Sequence, residues 1–355
     1  MAKISDIDKN LKVSSSIKKD NLILLDANIR PFSIFGVFND GKGFVRMDGK
    51  TAKSTNDGVY HLYRHTSGGR ITFETDSPYV SIAYKGDVTL FPHMPLTGTA
   101  GFDLYIFEDG EFHYFKSFVP PVDKKKKYDS IVEFGSRKMR KILIHFPLYS
   151  NVDSLHIGLD GSSELNEFNP YKKDAPVVYY GSSITQGGCA SRPGNNYPAI
   201  VSQKTLTDFL CLGFSGSAHG EDVIADYISE LPMSAFVLDY DHNDIGNPER
   251  LREKHFAFYK KVREKHADIP IIMMTSPYSL ALSPSIEITK KIIKESFAKA
   301  SENDKNVYFI DGREMFGEEF SGCATVDSCH PNDYGFVKMA QAVLKVFDEI
   351  KSKHE

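Results

Sequence analysis

A three-layer α/β domain with a parallel sheet, preceded by an antiparallel β-sandwich, is the fold class that three observations predict. From Val59 to about Leu159, short runs of alternating apolar and polar residues are separated by turn residues, with no long helical period among them. Beyond about residue 174, strand-like apolar runs alternate with helix-like stretches. Between the two rhythms, Gly161-Ser162-Ser163-Glu164-Leu165-Asn166-Glu167-Phe168-Asn169-Pro170 reads as a linker. The expected domains are therefore 1–165 and 174–355. A chain of 355 residues suits about two domains, each able to bury its own core.

In the first half, Arg70-Ile71-Thr72-Phe73-Glu74 and Tyr79-Val80-Ser81-Ile82-Ala83-Tyr84 carry the two-residue period of half-buried strands. Phe102 to Phe107 and Phe112 to Phe118 flank Asp109-Gly110, a pair that accepts the positive φ angles of a type I′ hairpin turn. A jelly-roll-like sandwich is expected, with Lys124 to Lys127 in a solvated loop. In the second half, strands are expected at 177–180, 209–213, 235–239, 271–275 and 307–310. Helices are expected at about 197–206, 221–230, 248–266, 284–302 and 333–351. Units of this spacing imply parallel strands joined by right-handed crossovers, with helices on both faces. Phe336, Met339, Ala340, Val343, Leu344 and Phe347 recur on one face of the last helix and are core.

A formal net charge of -4 leaves no basic excess for nucleic acid or an anionic membrane surface. The start, Met1-Ala2-Lys3-Ile4-Ser5-Asp6, lacks the apolar region of a signal peptide, and no apolar run reaches membrane-spanning length. As written the chain is expected to be cytoplasmic, or exported if a signal has been removed. Cys189, Cys211, Cys323 and Cys329 are too few for a disulfide framework and lack zinc-site spacing. They are expected to be reduced, with pairing of Cys323 and Cys329 the alternative for an exported protein. No dinucleotide fingerprint or Walker loop is present, and no cofactor or metal is expected.

The chemistry points to two separated strings. Val177-Val178-Tyr179-Tyr180 reads as a buried strand that stops at Gly181-Ser182-Ser183, which puts Ser183 at the carboxyl end of a parallel strand, where α/β active sites lie. Far downstream stands Asp327-Ser328-Cys329-His330. An aspartate three residues before a histidine can hold the imidazole Nδ1–H and leave Nε2 as a base. Taken alone, Ser183 is equally a helix cap and Asp327 a turn residue. Together they point to a serine hydrolase.

With these residues in this order, the chain resembles the SGNH, or GDSL-type, esterase family. The resemblance spans roughly residues 174 to 351 and rests on four blocks. It implies a nucleophile at Ser183, with Ser182 where the family has aspartate. It implies an oxyanion glycine at Gly216 in Leu212-Gly213-Phe214-Ser215-Gly216-Ser217, and an oxyanion asparagine at Asn243 in Leu238-Asp239-Tyr240-Asp241-His242-Asn243-Asp244. There Asp241 replaces a glycine and is expected to alter the charge beside Asn243. The last block, Asp327 and His330, is intact. The N–H groups of Ser183 and Gly216 and the Asn243 amide would stabilise the developing oxyanion, each donor contributing about 3 kcal/mol. A Gly-x-Ser-x-Gly nucleophile elbow is absent, because Gly213-Phe214-Ser215-Gly216-Ser217 lacks the closing glycine.

A sandwich ahead of the hydrolase domain, and the string Gly188-Cys189-Ala190-Ser191-Arg192-Pro193-Gly194, are similar to carbohydrate acetylesterases. That resemblance implies an oligosaccharide or small-molecule acetyl ester as substrate. Two alternatives stand beside it: a lipid-directed esterase resembling platelet-activating-factor acetylhydrolases or lysophospholipases, and a non-catalytic glycan-binding protein. Arg192 and His242 are the candidate substrate contacts, with Asn196 and Tyr197 also near the nucleophile in sequence.

Overall fold

In the N-terminal half, strands whose alternate residues are apolar must bury one face, and here they bury it against one another. The computed structural model describes residues 16–122, 126–172, 175–277 and 284–354. Expectations for Met1 to Asp6 and for Lys124 and Lys125 lie outside the described residues, and Lys127 opens a strand. Two compact units result. The first gathers the described residues up to Arg46 with Arg64–Tyr171 and Ser191–Gly194. The second holds Met47–Tyr63, Lys172–Ala190 and the described residues from Asn195 onward.

The first unit has two main antiparallel sheets. One is ordered β1 (Leu22–Asp26), β11 (Ser154–Asp160), β6 (Tyr79–Lys85), β9 (Lys127–Glu133). The other runs β12 (Leu165–Asn166), β5 (Arg70–Thr75), β10 (Arg140–His145), β7 (Phe102–Glu108), β8 (Glu111–Phe118), with β2 (Ser33–Phe35) also on β5, while β3 (Phe38–Asn39) pairs with β4 (Phe44–Val45). The eight long strands in chain order are β1 and β5 to β11. The first sheet takes the first, eighth, third and sixth of them, and the second takes the second, seventh, fourth and fifth. That order is two Greek keys, a jelly roll. Leu25, Val80, Ile82, Tyr84 and Ile157 from one sheet and Phe73, Phe102, Leu104, Ile142 and Ile144 from the other make one core. Asp109 and Gly110 turn the β7–β8 hairpin with φ 54° and 85°, the type I′ signature.

The segment read as a linker is part of this unit. Leu165 and Asn166 pair with Thr75 and Glu74, Thr75 Oγ1 donates to Glu164 O at 2.6 Å, and buried Arg70 donates to the Tyr171 hydroxyl at 2.8 Å. Its polar composition suits an edge strand exposed on one side as well as a free connection.

The second unit holds a parallel sheet ordered β14 (Phe209–Gly213), β13 (Val177–Gly181), β15 (Ala235–Asp239), β16 (Ile271–Met274), β17 (Val307–Ile310). This is the flavodoxin-like 2-1-3-4-5 order, in which the chain reverses direction across the sheet beside β13. Right-handed crossovers then put the first connection on one face and the rest on the other. Accordingly, Tyr197–Thr205 packs with Asp333–His354, while Asp222–Ser229, Pro248–Lys265 and Pro284–Ser301 pack in succession. All five helices stand where the periodicity predicts them. Phe336, Met339, Ala340 and Val343 are buried as expected, while Leu344 and Phe347 are only half-buried. No described helix is long and apolar enough to cross a membrane.

Helix Pro248–Lys265 carries an unusual core residue. His255 is fully buried and stacks on Tyr240, with ring centroids 5.7 Å apart, and among the described residues neither ring nitrogen has a hydrogen-bond partner. Burial pulls its pKa down to about 3. A base whose folded pKa lies below its unfolded value near 6.5 binds fewer protons when folded, so it takes stability away as pH falls below that value. His255→Phe should therefore match or exceed wild-type stability at pH 7.5, where the unsatisfied imidazole already costs about 1–3 kcal/mol. Its advantage should widen by about 1–2 kcal/mol at pH 5. Urea unfolding at the two pH values measures this, and a gap independent of pH would contradict it.

Candidate active site

Parallel strands in register end together, and Gly181 pairs with both Gly213 and Asp239. The three loops that carry the family blocks thus leave the sheet at one edge, beside the reversal in strand order, which is where open α/β sheets bind ligands. From β13 the chain turns directly into a one-turn helix, Ser183–Gln186. Ser182 caps it by accepting from Ile184 N at 3.2 Å, and donates its own N–H to Asp239 O at 3.1 Å. Gly187 ends it at φ 102°. Ser183 sits at the first helical position and is 5% exposed.

Ser183 Oγ lies 2.9 Å from His330 Nε2, and His330 Nδ1 lies 2.8 Å from Asp327 Oδ2. The other oxygen of Asp327 accepts the N–H groups of His330 at 2.7 Å and Cys329 at 3.1 Å, around Ser328 at φ 65°. Partial burial opposes ionisation of Asp327, but these N–H donors and the imidazole outweigh it and hold the carboxyl below its ordinary pKa. A carboxylate on Nδ1 keeps the proton there and leaves Nε2 to accept from a hydroxyl. Such a line can activate a serine. The ligand atoms of Asp327, Cys329 and His330 also fall within 4.8 Å of one another, but both imidazole nitrogens are already engaged.

The loop after β14 meets the loop after β15. Gly216 N–H donates to Asn243 Oδ1 at 3.1 Å, and Asn243 Nδ2 donates to Phe214 O and Ala218 O, each at 3.1 Å. The structure brings Gly216 and Asn243 together, and at rest it satisfies them on each other and on the loop backbone. Two residues that sequence reasoning missed brace this loop. Buried Gln186 accepts from Ser215 N at 3.1 Å, and Asn56 donates to Ser217 O at 2.9 Å. Asn56 links two short helices, Gly49–Thr55 and Asp57–Leu62, and no motif marks it. Gln186 had one signal, its place one helical turn after Ser183.

The acidic residues of the third block turn away from solvent. Asp241, in the family's glycine position, is fully buried and accepts from Ser276 N at 3.0 Å and Ser276 Oγ at 3.2 Å, so it anchors the loop to the end of β16. Burial pushes its carboxyl up to about 6. The charge expected beside Asn243 is therefore a tether directed into the unit. Asp244 accepts from Arg250 Nε at 2.8 Å and faces His219 Nδ1 at 3.1 Å. Asp239 receives Thr185 Oγ1 at 2.9 Å and Tyr197 Oη at 3.0 Å, and burial drives its pKa far up.

The two expected substrate contacts are occupied otherwise. Arg192 belongs to the first unit, where it pairs with buried Asp103 at 2.9 Å, donates to the Tyr105 hydroxyl and lies 3.8 Å from the centre of the Tyr114 ring. Gly194 N–H also donates to Asp103 at 2.9 Å. The buried carboxylate is the physical reason: it needs charged donors, and Arg192 supplies them. His242 faces the Cys329 thiol, with Nε2 2.8 Å from Sγ. Asn196 caps helix Tyr197–Thr205, and Tyr197 is core. No disulfide joins any of the four cysteines, and Cys329 is turned to His242 instead of Cys323.

Two glycines in the second block separate packing from conformation. A Cβ on Gly213 would stand 2.3 Å from Gln186 N, a backbone atom, whereas a Cβ on Gly216 meets nothing within 4 Å and pays only for φ 63°. Gly216→Ala should cost about 1–2 kcal/mol. Gly213→Ala should cost more than twice that, because the helix bearing Ser183 must move. Thermal melts of the two variants check the order, and equal losses would contradict it.

Residues 174–348 match the GDSL-like Lipase/Acylhydrolase family, and residues 25–165 match the module described as the N-terminus of Esterase_SGNH_hydro-type proteins. The short name of that module, GxDLY, is spelt by Gly101-Phe102-Asp103-Leu104-Tyr105. No curated protein matches the sequence. Among solved structures, the chain is similar to a protein described as a GDSL-like lipase from Bacteroides ovatus, with 27% identity, 94% of this chain and 98% of that one covered, and a TM-score of 0.84. It is similar in fold to the salicylyl-acyltransferase SsfX3 of a tetracycline biosynthetic pathway, with 18% identity, 94% and 99% coverage, and a TM-score of 0.78. The third is a family two carbohydrate esterase from Clostridium thermocellum in complex with cellohexaose, with 14% identity, 81% and 93% coverage, and a TM-score of 0.57. With both modules matched in order on this fold, the chain belongs to the SGNH/GDSL-type ester hydrolases.

Proposed function

We propose that the protein is a serine esterase that removes short acyl groups, acetyl above all, from carbohydrate hydroxyls. The observation that carries this reading is the hydrogen-bonded line Ser183–His330–Asp327, at 2.9 and 2.8 Å. Ser183 Oγ attacks the ester carbonyl while His330 takes its proton, and the tetrahedral intermediate collapses to an acyl-enzyme as His330 returns the proton to the leaving sugar oxygen. Water then repeats the sequence and releases the acid. Asp327, ionised, holds the Nδ1–H tautomer and stabilises the imidazolium. The oxyanion takes the N–H groups of Ser183 and Gly216 and the Asn243 amide, with the 214–218 loop yielding its resting bonds to the developing charge. The carbohydrate part of the reading is supported by family two carbohydrate esterases that share the fold, one of them bound to cellohexaose.

A fluorophosphonate should label Ser183, and Ser183→Ala should lose both labelling and turnover while keeping its melting temperature. Across p-nitrophenyl esters, kcat/KM should fall steeply from acetyl to butyryl and beyond, and acetylated oligosaccharides should release acetate. Labelling at another serine would sink the nucleophile assignment, and a preference for octanoyl or longer esters would favour a lipid substrate.

Asp327→Asn should fold but lose about 10- to 10³-fold in kcat/KM. This is less than the loss of about 10⁴ in a protease triad, because the exposed turn admits water as a partial substitute. Steady-state kinetics with p-nitrophenyl acetate decides it, and an undiminished kcat/KM would make Asp327 a turn residue only.

A further inference from the structure

We infer that His242 and Cys329 form a positioning pair, in which the Cys329 thiol donates to His242 Nε2 and holds the Asp327–His330 turn against the loop that carries Asn243. The inference deepens the esterase reading and rests on His330 being the base for Ser183. The two residues are 87 apart in sequence, and their side-chain atoms stand 2.8 Å apart. Each is the immediate chain neighbour of a residue given a role in the reaction, His242 of Asn243 and Cys329 of His330.

Several of the bonds that shape the Asp327–His330 turn are local: Asp327 to the N–H groups of Cys329 and His330, and Val326 N–H to His330 O at 2.9 Å. They fix the conformation of the turn. They do not fix its distance from Ser183, and a shift of about 1 Å at a reacting group can cost 10²-fold in rate. On its far side the turn runs into helix Asp333–His354, where Asn195 donates to Asp333 at 2.8 Å; on the side facing Asn243 the tie is to the His242 loop, which is itself anchored. Asp241 binds it to Ser276 on one side, and Asn243 binds it to Phe214 and Ala218 on the other.

The proton arrangement follows from burial. It lowers His242 to about 4, with the His330 charge adding to the effect, and raises Cys329 to about 12. Near neutrality the imidazole is uncharged and the thiol protonated, so the sulfur donates and the nitrogen accepts. A neutral His242 also places no second positive charge beside His330 when that ring takes the serine proton.

The test uses the full chain and p-nitrophenyl acetate. Cys329→Ala and His242→Phe should each lower kcat, and the rate of fluorophosphonate labelling, by about 10- to 100-fold, with KM within about twofold of wild type. Cys329→Ser, which keeps a donor, and His242→Gln, which keeps an acceptor, should return kcat to within about threefold of wild type. The double variant Cys329→Ala/His242→Phe should be no worse than the worse single one, because both remove the same bond. A wild-type kcat in Cys329→Ala, single losses that multiply in the double variant, or conservative variants that fall as far as the others would overturn the pair. Should Cys329→Ala or His242→Phe fail to fold, the two conservative variants carry the test alone. Ser183→Ala run alongside separates the two ideas: its inactivity beside a fully active Cys329→Ala removes only the pair, while its activity removes the triad reading itself.

Discussion

The carboxyl group of Asp239, sealed at the tip of the central strand β15, makes the interaction around which the end of the sheet that carries Ser183 is arranged. Its side chain receives the hydroxyls of Thr185 and Tyr197, and its backbone carbonyl receives Ser182 N–H. Those donors come from the one-turn helix of Ser183 and from the next helix, so one residue joins β15 to both. A buried carboxyl left without such partners is costly, and the low dielectric that makes it costly also makes the satisfied arrangement stiff. The serine is positioned by this stiffness as much as by its helix.

How much of this is legible in the sequence depends on the range of the interaction. Periodicity is local, so all five parallel strands and their helices stand within a few residues of expectation, and the Asp109-Gly110 hairpin has the turn its composition implies. The Ser183, Asp327 and His330 line was legible because family blocks preserve order along the chain even when the contact is distant. Side-chain commitments were not legible. Arg192 and His242 look available in the sequence because Asp103 and Cys329, which occupy them, lie 89 and 87 residues away. The same blindness made Asp241 look like a charge beside Asn243, when its partner at Ser276 turns it inward.

The first unit shows how an antiparallel sheet handles an exposed border. Strand β8 closes the larger sheet, and Tyr114 and Phe115 are 46% and 42% exposed along it. A long, flat, apolar edge invites pairing with another chain. Here the register breaks between Leu104 and Tyr105, which twists the ribbon, and Arg192 covers the Tyr114 ring from one side.

The turn Asp327-Ser328-Cys329-His330 has a further consequence for how such an enzyme can change. One carboxylate both folds the turn, through two backbone N–H groups, and orients the imidazole, through its second oxygen. Shape and chemistry are therefore inseparable within four residues. Lengthening the turn by one residue would disturb both at once. The same economy makes the tetrapeptide portable: four consecutive residues carry both the imidazole and the carboxylate that orients it, and only the distance of the turn from the rest of the sheet is left for other contacts to set.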